Sequence, residues 1–221
     1  MSASRDHTRV TASGFLAVAL VAVAAAFFLA AARGPHQADP PPAGRDTALA
    51  EPVAGAAPLG RSDPVRLRIP RIGVDTALGR SGTTARGSLA APPDFAHASW
   101  FDGGASPGEP GAAVLLGHVD STAGPAVFFR LGELGAGDEV LVTRQDGTTA
   151  RFVVDRTETV AKNAFPSDRV FADDGTARLW LITCGGSFDA AQRRYLSNVL
   201  ASAVFVGAEL TTPGHEPELA R

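Results

Sequence analysis

The chain has 221 residues, a formal net charge of −3 and a single cysteine, Cys184. With no basic block, nothing points to nucleic acid as a partner. One cysteine excludes an internal disulfide and any multi-cysteine zinc site.

Residues 1–9 carry Arg5 and Arg9, and residues 10–32 carry no charge. The run "GFLAVALVAVAAAFFLAAA" is apolar almost throughout. About twenty helical residues at ~1.5 Å each span the ~30 Å core of a bilayer. A signal peptide has a shorter apolar region of roughly 7–15 residues, although "AAA" at 30–32 would serve as a cleavage site. The expectation is therefore an uncleaved transmembrane signal-anchor over 10–32. The N-terminus would be cytoplasmic and the rest of the chain extracytoplasmic. Residues 33–62 are rich in proline and alanine, without aromatics or an apolar period, and read as a linker. Residues 211–221 read as a disordered tail.

Residues 63–210 read as one all-β domain. "VRLRI" (65–69) alternates apolar and basic residues, the mark of a half-buried strand. "AVLLGHV" (113–119) is a short apolar run after the loop signal "PGEPG". "EVLVTRQ" and "TTARFVV" flank Asp146-Gly147, a hairpin signal because a type I′ turn needs positive φ at both central residues. "RLWLIT" (178–183) and "NVLASAVFV" (198–206) are further strands. "AVFFRLGEL" (126–134) and "FPSDRVFAD" (165–173) offer a helical turn or two. Seven or eight short strands indicate a sandwich or closed barrel.

Cys184 ends a predicted buried strand. Gly185 and Gly186 follow it and leave backbone N–H groups accessible as oxyanion donors. Thr183 precedes it and is a candidate support for its local hydrogen bonding. A buried structural thiol is the competing reading. Of five histidines, only His97 and His118 fall in the domain. His118 follows the apolar strand in "LLGHVDS", whereas His97 sits in a loop-like stretch. Cysteine and histidine together supply a nucleophile and an acid–base group. Asp120 either orients His118 or ends the strand. Arg193 and Arg194 in "QRRY" are either a solvated turn or a source of one guanidinium near the thiol.

These segments resemble the sortases, cysteine transpeptidases of Gram-positive cell surfaces. The resemblance runs over about residues 64 to 206. It rests on "RLRIPRIGVDTALGR", "GSLAAPPDFAHASWF", "PGEPGAAVLLGHVDS", "VFFRLGELGAGDEVLV" and "LWLITCGGSFD", in that order. The "TCGGSFD" form resembles the class F sortases of actinobacteria, with class E as the alternative. The resemblance implies an eight-stranded sortase β-barrel, preceded here by the transmembrane helix. It implies Cys184 as acyl-thioester nucleophile and His118 as its acid–base partner, with no cofactor and no metal. It implies cleavage of an LPxTG-like sorting signal between threonine and glycine. The acyl group would then pass to an amine of a cell-wall precursor of the lipid II type. In many sortases an arginine directly precedes the final apolar strand, but here "LSN" (196–198) fills that place. If Asn198 lines the site, strand parity puts Arg194 rather than Arg193 on the same face. A cysteine hydrolase on the same scaffold and a non-catalytic wall-binding β-domain are the competing functions.

Overall fold

The computed structural model describes residues 56–85 and 87–211. Eight strands form a closed barrel: β1 (Pro64–Ile69), β2 (Val74–Ser81), β3 (Ala98–Phe101), β4 (Gly111–Leu116), β7 (Glu139–Arg144), β8 (Thr148–Ala161), β9 (Ala177–Asp189) and β10 (Arg194–Leu210). The short β5 (Asp120–Ser121) and β6 (Gly124–Pro125) pair with each other outside it. Around the barrel the order is β1-β2-β3-β4-β9-β10-β8-β7, closed by pairing of β1 with β7. The β2–β3 and β4–β9 pairs are parallel, and the others are antiparallel.

The alternation read in the sequence is the barrel's inside–outside pattern. In β1, Leu67 and Ile69 face the core while Arg66 and Arg68 face water. In β7, Val140 and Val142 point inward. The hairpin forms, but not through the expected type I′ turn: three residues, 145–147, join the strands, only Gly147 has positive φ, at 80°, and Asp146 Oδ1 accepts from the Thr148 N–H at 3.0 Å. β9 instead reads as an unbroken apolar run because both its faces are covered. Leu179 and Leu181 join the barrel core, whereas Trp180 and Ile182 pack outward with Val114, Leu116 and Leu200. The β8–β9 connection covers that outer patch with Phe165 and Val170.

Residues 56–62, expected to belong to the linker, lie against the barrel. Leu59 packs on the core and donates its N–H to Gly108 O at 2.8 Å. The buried Arg144 holds this segment: its guanidinium donates to Gly60 O at 2.5 Å, Pro107 O at 2.6 Å and Asp146 Oδ2 at 2.9 Å. A buried guanidinium needs such acceptors, although its Nε has no hydrogen-bond partner among the described residues.

The expectation of a membrane-spanning helix is corrected. Among the described residues no helix is long and apolar enough to cross a membrane. Their α-helix is the four-residue Ser167–Val170, roughly 6 Å long against the ~30 Å of a bilayer core. Residues 10–32 lie outside the described residues, as do 1–9, most of the expected linker and most of the tail. Among the described residues the fold is accordingly the barrel, without a membrane-spanning helix. The single-pass location, the extracytoplasmic placement that followed from it and the membrane as a partner are set aside.

Candidate active site

Cys184 lies on β9, and His118 follows the end of β4, the strand that pairs with β9 in parallel. β4 and β9 pair from Gly111↔Ala177 to Leu116↔Ile182, and Gly117 N–H extends the ladder to Ile182 O at 3.1 Å. His118 lies two residues past that last pair on one chain segment and Cys184 two residues past it on the other. Cys184 has the strand parity of Ile182, one step beyond the apolar outer patch of Leu116 and Ile182. Cys184 was expected at a strand end, but β9 continues to Asp189 as a hairpin with β10. It is the parallel pairing with β4 that stops near the thiol.

Gly117 lets Phe128 pack against the backbone just before His118. A Cβ there would fall 2.4 Å from Phe128 Cδ2, and Phe128 is fully buried. Phe128 in turn donates its N–H to His118 O at 2.9 Å. Gly117→Ala is expected to overpack this contact and cost about 1–3 kcal/mol of stability. A denaturant melt with an unchanged midpoint would show that Phe128 moves aside freely.

The environment of His118 fixes its tautomer. Nε2 lies 2.8 Å from Pro92 O, and the ring stacks on Phe95 with centroids 4.4 Å apart. A carbonyl oxygen only accepts, so Nε2 carries the proton and the neutral ring keeps its lone pair on Nδ1. His97 is different: it is exposed, with Nδ1 2.6 Å from Asp94 Oδ2. The Ala96 N–H, and then the His97 ring, hold the Asp94 carboxyl below the usual carboxylate range.

Cys184 is half-buried and packs with Val119, Phe129, Phe188 and Tyr195. Its cross-strand neighbour on β10 is Asn198, half-buried, so these two side chains share a face. The Lys162 ammonium donates to Cys184 Sγ at 3.4 Å. Thr183 faces the core opposite Val199, and its hydroxyl has no hydrogen-bond partner among the described residues. Asp120 Oδ2 accepts from the Tyr195 hydroxyl at 2.5 Å, which ties β5 to β10.

The second glycine after the cysteine opens a bulge. Tyr195 pairs with Phe188 and Ser197 with Gly185, leaving Gly186 and Ser187 against Leu196 alone. Gly186 adopts φ 71°, and a Cβ there would sit 2.9 Å from Ser197 Cβ. At Gly185 a Cβ would meet Val199 Cγ2 at 2.6 Å. Arg193, at φ 50°, and Arg194 are exposed at the far end of this hairpin, with Arg194 opposite Asp189. Four strand residues, or ~13 Å, separate Arg194 from Asn198 along β10. Neither arginine starts beside the thiol. Sequence reasoning passed over Lys162 and Tyr195 as site residues. The one available signal was that Lys162 is the chain's sole lysine.

A closed eight-stranded barrel carrying a single half-buried thiol defines a class of thiol-bearing β-barrel proteins. Residues 67–204 match the family model described as the Sortase domain. The chain belongs to the sortase family and is a sortase-type enzyme. The fold agrees. The chain is similar to sortase A of Listeria monocytogenes, with 18% identity over 69% of this chain and 92% of that one, at a TM-score of 0.53. It is also similar to sortase C1 of Streptococcus agalactiae, with 20% identity over 64% of this chain and 66% of that one, at a TM-score of 0.50. No curated protein matches it.

Proposed function

We propose that the protein is a cysteine acyl-transferase of the sortase type, a transpeptidase or hydrolase acting on a peptide carbonyl. The observation that supports this reading is the parallel pairing of β4 with β9, whose last pair, Leu116↔Ile182, lies two residues before both His118 and Cys184. The thiol proton passes to His118 Nδ1, and Sγ attacks the carbonyl carbon. The amine leaves with the proton from His118, which gives a thioester on Cys184. An incoming amine or water then attacks the thioester, with His118 as base. The Gly185 N–H is a candidate oxyanion donor. The "TCGGSFD" segment supports a class F-like member of the family.

The expected function is corrected in its membrane-anchored part, which falls with the helix. The sorting-signal proteins and the wall-precursor amine came only with the resemblance and are not carried further. The test is incubation of the full chain with a peptide library and a supplied primary amine. An amide product marks transpeptidation and a free acid marks hydrolysis. Peptides left intact across the library would overturn both.

Arg194 is kept as the candidate oxyanion cation, drawn in only when substrate is bound. Losing one oxyanion donor typically costs ~10²–10³ in turnover. Arg194→Ala is expected to lose that much turnover without changing alkylation of the free thiol, and Arg193→Ala to stay within a few-fold of wild type. The reverse order would assign the role to Arg193.

A further inference from the structure

The only lysine of the chain lies on its only cysteine, with Lys162 Nζ 3.4 Å from Cys184 Sγ. Strand order sets this contact, since the two residues are 22 apart in sequence. β8, β10 and β9 are neighbours in the barrel, and Val160, Asn198 and Cys184 form one row across them. Lys162 opens the 3₁₀ turn Lys162–Ala164, two residues past Val160. Its flexible stem therefore crosses β10 toward the sulfur. Among the described residues no carboxylate forms an ion pair with it, whereas Arg169 and Arg178, on the same outer wall, are paired with Glu158 and Asp155. The other titratable groups around the thiol are His118 past the end of β4 and Asp120 of β5, the latter bonded to Tyr195 of β10.

We infer that Lys162 is a catalytic residue whose ammonium holds the Cys184 sulfur as a thiolate and stays beside it during attack. The inference rests on the reading of Cys184 as the nucleophile. The thiol proton moves to His118 Nδ1 and leaves the electron pair on Sγ. That pair forms the C–S bond while the carbonyl π pair moves onto oxygen. Collapse of the oxyanion breaks the C–N bond, and the amine departs with the proton from His118. The ammonium keeps its three protons throughout and supplies charge alone. Because Lys162 is exposed, water screens the attraction. The larger thiolate fraction is partly offset by lower intrinsic nucleophilicity. The expected effect is several-fold rather than thousands-fold.

The test is alkylation of Cys184 in the full chain, at neutral pH and low salt, with neutral iodoacetamide and anionic iodoacetate. Lys162→Ala is expected to slow iodoacetamide about threefold and iodoacetate about tenfold, because only the anion also loses an attractive charge. Lys162→Arg should restore both rates to within about twofold. Added salt should erode the wild-type preference for iodoacetate more than that of Lys162→Ala. Unchanged rates in Lys162→Ala would overturn the inference. So would equal slowing with both reagents that arginine fails to rescue, which would mark a packing role. These rates need no peptide, so the two readings fail separately. If alkylation depends on Lys162 but no peptide forms a thioester, the proposed function fails and the charge effect stands. If a thioester forms at the wild-type rate in Lys162→Ala, the inference fails and the function stands.

Discussion

Cys184→Ala is expected to abolish acyl-enzyme formation while leaving the barrel folded. The side chain is half-buried and packs at the edge of a small cluster, so trading sulfur for hydrogen removes little core volume. β9 is held on both sides by full ladders to β4 and β10, and neither depends on the thiol. The chemistry has no substitute, because no other cysteine exists in the chain. Trapped wild-type enzyme should show a peptide-sized mass increase on the fragment containing Cys184, sensitive to hydroxylamine as a thioester is. The variant should show neither the adduct nor product, with an unchanged melting curve. A folded Cys184→Ala protein that turns over near the wild-type rate would remove the thiol from the mechanism.

The strands were legible wherever the pattern is local. β1, β7 and the β7–β8 hairpin follow from alternation and from Asp146-Gly147 alone. The continuous run in β9 gave its strand character but not its end, because Gly185 and Gly186 look like a loop. Gly185 pairs with Ser197, and Gly186 with Ser187 makes the bulge through which the hairpin continues. β2 and β3 escaped notice: "VDTALGRS" carries few apolar residues, and "ASWF" is only four residues long. The parallel pairing of β4 with β9 could not be read, since it joins segments 66 residues apart. That pairing is what brings the ends of the segments leading to His118 and Cys184 side by side, at Leu116 and Ile182.

The arginine argument from strand parity shows the same limit. It treated 194–198 as an extended run measured from Asn198. The register does shift there, with the extra residue on β9, at Gly186–Ser187. Tyr195, expected on the face away from Asn198, packs in the cluster around Cys184. Parity also says nothing of distance, and Arg194 stands at the hairpin's outer end. The cation in contact with the sulfur comes from the end of β8, a neighbour of β10 only in the closed barrel.

His118→Ala is expected to lower the rate of peptide acylation by roughly 10²–10⁴, the usual worth of general acid–base help. His97→Ala should stay within a few-fold of wild type. His97 is exposed and engaged with Asp94 in the loop before β3, whereas His118 is half-buried and follows the strand that pairs with β9. The tautomer sharpens the expectation. With Nε2–H held by Pro92 O, Nδ1 is the atom that takes the thiol proton and returns it to the leaving amine. The second task is the more demanding, because an amine leaves poorly unless it is protonated. A thioester substrate, whose thiolate leaves without a proton, should therefore recover much of the acylation rate lost in His118→Ala. Removing the ring also leaves Pro92 O and Phe95 without their partner, so the melting curve must be compared alongside. An equal loss for peptide and thioester, with the fold intact, would reduce His118 to a thiol-activating or positioning residue. Equal losses for His97→Ala and His118→Ala would refute the assignment, and a larger loss for His97→Ala would move the acid–base role into the loop before β3.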